Sequence, residues 1–139
     1  TRRFANALEA SLIPFQCPPS FRETPEHIEN FSRFFVAAKD SGFLLVWEPR
    51  GDWSERSIRG LCSELGLVHC VDPFVREPLH GELQYFRLHG GPGYRHRYSE
   101  DELRALKDKA ESKETHVLFN NLNMYQDALS FVCLLEETR

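Results

Sequence analysis

The sequence lacks the features that mark membrane, secreted or redox proteins. None of its apolar runs approaches the roughly 18 residues needed to cross a bilayer, and no apolar signal follows its first residues. Its four cysteines, Cys17, Cys62, Cys70 and Cys133, form no Cys-x-x-Cys pair, so buried free thiols are expected. These absences predict a cytosolic protein that has no contact with a membrane.

An excess of positive charge is also missing, since 17 Lys and Arg face 21 Asp and Glu, for a formal net charge of -4. A general nucleic-acid binder needs basic residues to neutralise phosphates. The basic residues that do cluster are Arg87, Arg95 and Arg97, with His89 and His96 nearby. This distribution favours a small phosphate or carboxylate over a duplex, and leaves nucleic-acid processing as an alternative.

What is present is an alternation of apolar runs with amphipathic, capped stretches. With 139 residues, 41% of them hydrophobic, the chain can bury one core, so a single domain over residues 1–139 is expected. Thr24 begins one helix, and Ser99 with Glu102 forms a capping box at another. We predict strands at 11–17, 43–47, 67–71, 83–88 and 115–119, and helices at 2–9, 24–39, 53–65, 99–112 and 124–136.

Strands that alternate with helices predict an α/β fold with a parallel sheet, because each crossover helix returns the chain to the same end. An open doubly wound sheet and a segment of a TIM-type (β/α)8 barrel both fit. A complete barrel needs about 200 residues or more, so this chain would supply about five β/α units of one. The absence of an initiator methionine and the helical start at Thr1 predict that an N-terminal part is missing.

Polar residues follow the predicted strands, at the edge where α/β proteins bind ligands. Glu48 is the first candidate for a general acid or base, and His89 is the second. The structural alternatives are an ion pair of Glu48 with Arg50 or Arg87, and a packing role for His89.

The remaining candidates would bind a ligand. Arg50 and Arg87 suit two-point recognition of a carboxylate or phosphate, whereas Asn120 and Asn121 suit a sugar or base. Capping of the next helix is the alternative for one of the two asparagines. Tyr94 would stack on a ring or cover the rim. The complete predicted ligand-binding set is Gln16, Arg50, Arg87, Tyr94, Arg95, Asn120 and Asn121.

Three other kinds of site are less well supported. The glycine loop at 90–93 precedes a helix that begins with three acidic residues, which would repel a phosphate. An α/β-hydrolase needs a Gly-x-Ser-x-Gly elbow, and the chain has none. Glu48, Asp72, His89 and His69 are metal-binding residue types without a compact motif, so no metal ligand is predicted and a divalent metal stays an alternative.

Four short motifs occur in order along nearly the whole chain: Gln16-Cys17-Pro18-Pro19 with Phe21, Glu48-Pro49-Arg50 with Trp53, Arg87-Leu88-His89-Gly90 with Tyr94 and Tyr98, and Phe119-Asn120-Asn121 with Ala128. Together they resemble the C-terminal part of the YecE-like family, known as domain of unknown function 72 (DUF72). The resemblance implies a TIM-type barrel whose last five strands are present here. It implies no activity, because the family has none established.

The predicted function is therefore hydrolysis of a phosphoester or glycosidic bond in a small anionic or hydroxylated ligand, an inference by analogy with barrel enzymes. A non-catalytic ligand-binding or interaction module and a nuclease-like protein are the alternatives. An isolated half-barrel would expose strand edges, so we expect it either to form a homodimer or to carry further chain that covers them.

Overall fold

The structure, a computed structural model, describes residues 2–137 and has an α/β fold. The strands are β1 (Leu12–Gln16), β2 (Leu44–Glu48), β3 (Val68–Val71), β4 (Gln84–Leu88) and β5 (Thr115–Phe119). The helices are α1 (Arg2–Ala7), α2 (Pro25–Ala38), α3 (Glu55–Leu65), α4 (Glu100–Ala110) and α5 (Met124–Glu136). Short 3₁₀ helices cover Lys39–Ser41 and Pro92–Tyr94.

The predicted strands and helices are confirmed, and those at 115–119 and 124–136 have the predicted bounds. Two differences affect the site. Glu48 is the last residue of β2 rather than the first residue beyond it, and a 3₁₀ turn that was not predicted forms at Pro92–Tyr94.

The described residues form two compact units. Unit 1 contains residues 2–70 and 78–82, and unit 2 contains residues 71–77 and 83–137. In unit 1, β1 pairs in parallel with β2, and β2 pairs in parallel with β3. Its core is aromatic: Phe31 packs 4.3 Å from Trp47 between ring centroids, and Trp47 meets Trp53 edge-on at 5.2 Å. Such pairs each add about 0.5–1.5 kcal/mol beyond the burial of their area.

Helix α3 of unit 1 begins on a double cap. The Ser54 hydroxyl accepts the backbone N–H of Ser57, and the Glu23 carboxylate accepts from the Ser54 N–H at 2.7 Å and from the Ser57 hydroxyl at 2.6 Å. The bond from the Ser57 hydroxyl, followed by that from the Ser54 N–H, holds the pKa of Glu23 below its usual value. The negative charge also complements the helix N-terminus.

In unit 2, β4 pairs in parallel with β5, with Arg87 opposite Leu118 and Leu88 opposite Phe119. Helices α4 and α5 contribute to its buried core, which contains Val71, Phe86, Leu88, Tyr98, Leu103, Leu106, Phe131 and Leu134. The predicted capping box is confirmed, since Ser99 and Glu102 exchange backbone-to-side-chain hydrogen bonds.

The four cysteines form no disulfide, as expected, but they are not all buried. Cys62 and Cys70 are buried and Cys17 is half-buried, whereas Cys133 is exposed on α5, so the expectation of burial is wrong there. Burial raises the pKa of the Cys62 thiol to about 12, which leaves it protonated and inert near neutrality.

Candidate functional site

The polar cluster of unit 2 lies where β4 and β5 end side by side. The carbonyl of Leu88 accepts the Asn120 N–H at 2.8 Å, which continues the parallel ladder one residue past β5. Arg87 Nη2 donates to Asn120 Oδ1 at 3.3 Å, and Asn120 Nδ2 lies 3.2 Å from His89 Nδ1. We refer to Arg87, Asn120 and His89 as the strand-end row. The sequence predicted all three, and the sheet register brings them together.

The row fixes the tautomer of His89. Only the amide oxygen of Asn120 can accept from a guanidinium, so the NH₂ group faces the imidazole. His89 Nδ1 must then act as the acceptor, and the proton of the neutral ring lies on Nε2. Asn120 thus orients a guanidinium on one side and an N–H of an imidazole on the other.

Asp72, just after β3, holds the backbone of the row. Its Oδ2 accepts the His89 N–H at 3.0 Å and its Oδ1 accepts the Phe74 N–H at 3.1 Å. Both carboxylate oxygens therefore accept from the main chain. The sequence placed Asp72 at a strand end, but it gave no sign that its role would be to position the next strand's terminus.

Tyr94 lies beside His89, with ring centroids 6.0 Å apart and ring planes at 67°. Its carbonyl accepts the Leu122 N–H at 2.7 Å, which ties the glycine loop to the segment after β5. Arg95 is exposed, and its carbonyl accepts from the Asn123 side chain at 3.4 Å. Ligand binding by Tyr94 and Arg95 stays a prediction.

Asn121 faces inward and is 1% exposed. Its Nδ2 donates to the His96 carbonyl at 2.7 Å and to the Asp127 carboxylate, itself buried on α5, at 2.6 Å. The alternative that Asn120 or Asn121 caps α5 is wrong, because the residue at the N-cap is Asn123 and its side chain makes no capping bond. Asn121 instead anchors the loop, and its predicted contact with a ligand stays a prediction.

Tyr98 supports the same loop from the core. Its phenol oxygen accepts the Gly90 N–H at 3.1 Å. Burial, and after it the nearby carboxylate of Asp72, raise the pKa of Tyr98 to about 12. The ring therefore stays a neutral phenol under ordinary conditions, and it serves as a fixed support.

Unit 1 has its own group of predicted residues at the ends of β1 and β2. Gln16 is the parallel-sheet partner of Glu48, and the Glu48 carbonyl accepts the Cys17 N–H at 3.1 Å. Glu48 is 6% exposed, and its Oε1 lies 3.1 Å from Arg50 Nη1. The ion pair with Arg50, which the sequence offered as an alternative, is therefore present. Catalysis by Glu48 and ligand binding by Arg50 and Gln16 stay predictions.

The predicted catalytic and ligand-binding residues form no metal-binding cluster within residues 2–137, and none of them lines the groove between α4 and α5. Within residues 2–137, no three His, Cys, Asp or Glu side chains are grouped so that they could hold a metal ion. His69 Nδ1 accepts the Leu79 N–H at 3.1 Å, a structural role. The groove has a volume of about 650 Å³ and is lined among others by Leu103, Cys133 and Arg97, the last of which belongs to the basic cluster noted in the sequence.

These features define an α/β protein with parallel strands and a polar cluster at their carboxyl ends. The chain belongs to the family described as "Protein of unknown function DUF72", which matches residues 2–138. No curated protein shows significant similarity to it.

Two crystal structures of a DUF72 family protein from Enterococcus faecalis V583 are similar in fold. The first gives a TM-score of 0.76 with 18% identity over 96% of this chain and 64% of that chain. The second gives 0.75 with 16% identity over 96% and 61%. At this identity the likeness shows the fold alone, and the chain spans less than two thirds of the length of these relatives.

The helices within residues 2–137 are all too short or too polar to span a membrane. A cytosolic location stays a prediction.

Proposed function

We propose that the strand-end row binds the phosphoryl group of a small phosphoester, and that the protein hydrolyses this ester. The observation that carries the proposal is the double use of the Asn120 amide, which turns its oxygen to Arg87 and its NH₂ group to His89. This arrangement presents two different hydrogen-bond donors, a guanidinium and an imidazole N–H, at one edge of the sheet. A tetrahedral anion with several acceptor oxygens suits such a pair.

The row also stabilises the charges that develop in hydrolysis. A water oxygen attacks phosphorus, the P–O bond to the leaving alcohol breaks, and the His89 Nε2–H donates a hydrogen bond to the leaving oxygen. The attacking water loses a proton to solvent and the leaving oxygen takes one up from solvent, so the products are an alcohol and phosphate, and His89 keeps its proton. Arg87 stabilises the charge that builds on the phosphoryl oxygens.

A ligand-binding module without turnover is the second candidate, and the carboxylates of unit 2 favour it. A hydrolase gains from a base that activates water, yet both oxygens of Asp72 accept main-chain N–H groups, and Asp127 is buried against Asn121. Hydrolysis of a glycosidic bond is less well supported, because it needs a pair of carboxylates beside the bond that breaks. A basic groove for nucleic acid has no comparable support.

We further propose that the chain is part of a TIM-type barrel. Each unit by itself contains neighbouring parallel strands joined by a helix, which is the repeating element of that fold. The predictions for Gln16, Glu48 and Arg50, for a divalent metal and for a homodimer stay open.

Calorimetric titration with inorganic phosphate tests the binding step. Arg87→Gln should weaken phosphate binding by about 10- to 100-fold, the usual worth of hydrogen bonds to a charged group. Arg104→Gln, which removes an exposed arginine from α4, should leave the affinity unchanged. Equal affinity in Arg87→Gln and the unmodified protein would contradict the proposal.

Turnover on a panel of phosphomonoesters and phosphodiesters separates the two candidates. His89→Ala removes the Nε2–H that donates to the leaving oxygen, so it should weaken phosphate binding and lose hydrolysis. If the unmodified protein binds phosphate and turns over no ester, the binding module is the correct alternative.

Asn120→Asp tests the row directly. An aspartate offers His89 Nδ1 only an acceptor, so the ring should change to the Nδ1–H tautomer, which nitrogen chemical shifts in NMR report without any ligand. Nitrogen shifts that match those of the unmodified protein would remove the basis of the proposal.

A further inference from the structure

Tyr94 stands in a backbone conformation that does not suit it. Its φ is 59°, in the left-handed region that disfavours side chains, and among the described residues only Glu9 shares this feature outside glycine. The loop places glycine at three other positive-φ positions, Gly90, Gly91 and Gly93. A glycine at residue 94 would adopt the same conformation without strain. The ring is thus kept against a local cost, which is typical of functional sites.

The loop is fixed on both sides of this tyrosine. The Tyr94 N–H donates to the Gly91 carbonyl at 3.1 Å, and the His96 N–H donates to the Gly90 carbonyl at 3.1 Å. On the far side, the Tyr94 carbonyl accepts the Leu122 N–H at 2.7 Å. These bonds hold the main chain at Tyr94 in place, so only the side-chain torsions of the ring remain to be ordered by a ligand.

The ring does not pack in the core of unit 2. Tyr94 is 43% exposed, and it lies next to His89 rather than among the buried apolar side chains. A phosphoryl group at the strand-end row would have the ring of Tyr94 beside it, because the centroid of that ring lies 6.0 Å from the centroid of His89.

We infer that the ligand of the strand-end row is a ring-bearing phosphate ester, whose ring stacks on Tyr94 while Arg87 and His89 bind the phosphoryl group. This inference rests on the proposed function and adds the class of substituent. Two chemistries share the required flat ring face: an aromatic ring, and a sugar ring that presents its C–H groups.

Calorimetric titration with four probes tests the inference: inorganic phosphate, glycerol 1-phosphate, phenyl phosphate and glucose 1-phosphate. Both unmodified protein and variants are measured. The unmodified protein should bind phenyl phosphate or glucose 1-phosphate about tenfold more tightly than acyclic glycerol 1-phosphate, as one aromatic contact allows. Whichever ring probe gains identifies the aromatic or the sugar class.

Tyr94→Gly should abolish this preference while the affinity for inorganic phosphate stays the same. Because glycine suits a φ of 59°, the melting temperature of the Tyr94→Gly variant should match or exceed that of the unmodified protein. Tyr94→Asn, a second ring-free residue that tolerates positive φ, guards against an effect peculiar to glycine. Tyr125→Ala, which removes an exposed tyrosine from α5, should keep the preference.

The outcomes separate the two proposals. If the unmodified protein binds phosphate without preferring a ring, or if the preference survives in Tyr94→Gly, the inference is wrong and the proposed function stands. If it binds neither phosphate nor any ester, the proposed function fails and the inference fails with it.

Discussion

Replacing Gly90 by alanine tests how tightly the glycine loop is packed. The φ of Gly90 is 71°, and an alanine in this left-handed conformation costs about 1–2 kcal/mol of folding free energy. A Cβ at this position would also lie 2.7 Å from Asn121 Cβ and 3.3 Å from the His96 carbonyl oxygen. Relieving such overpacking costs a further 1–3 kcal/mol or so. Gly90→Ala should therefore lower the free energy of unfolding by about 2–5 kcal/mol.

Gly93→Ala is the matched control. Its φ of 75° imposes the same backbone cost, but its Cβ would meet only the Arg95 side chain, at ordinary distances of 3.9 Å and beyond. With a shift of about 4 °C per kcal/mol for a chain of this size, Gly90→Ala should melt roughly 4–12 °C below Gly93→Ala. Amide exchange at His96, which donates to the Gly90 carbonyl, should also be faster. Equal melting temperatures in the two variants would refute the packing argument.

Two further predictions concern the other unit and the capping box. Gly51→Ala should destabilise the protein by about 3 kcal/mol or more, because its Cβ would lie 2.2 Å from the Phe21 carbonyl oxygen. Gly60→Ala, where the added Cβ meets open space on helix α3, should stabilise the protein by about 0.5–1 kcal/mol. Denaturant unfolding that shows both variants more stable, or both less stable, than the unmodified protein would contradict this pair of predictions. Glu102→Gln keeps the shape of the box but removes its charge, which should cost about 0.3–1 kcal/mol at neutral pH. Burial opposes ionisation of Glu102, but hydrogen bonds from Ser99 and His96 outweigh it and lower its pKa. The stabilisation is therefore complete above the ordinary value of 4.5, and it disappears as pH falls through the lower pKa of the folded protein. A stability difference that persists at pH 2 would show that the charge is not its source.

The order of elements could be predicted because each signal is local. Thr24 and Ser99 cap the helices that follow them, and both accept the backbone N–H groups that their positions predict. The strand at 115–119 is bounded by polar residues on both sides, so its ends were clear. The 3₁₀ turn at Pro92–Tyr94 could not be foreseen, since it depends on Leu122 and Asn121, which hold the loop from beyond β5.

The neighbourhood of Arg87, His89 and Asn120 could be predicted from the sequence, but their hydrogen bonds could not. Parallel pairing places Arg87 and His89 of one strand end beside Asn120 of the next, as the pattern predicts. The task of Asp72, which accepts the His89 N–H, depends on a contact between residues 17 positions apart. No local signal in the sequence encodes that contact.

The two consecutive asparagines show why residue type alone did not settle these roles. Successive side chains of an extended segment point to opposite sides, so after β5 one amide must face the surface and the next must face the interior. Asn120 is the outer one and connects Arg87 to His89. Asn121 is the inner one, and its NH₂ group donates to the His96 carbonyl and to the Asp127 carboxylate. The inner asparagine fixes the loop that presents Tyr94, and the outer one fixes the row beneath it. A change at either residue should therefore affect ligand binding, but through different quantities: Asn121 through the stability of the loop, and Asn120 through the tautomer of one imidazole.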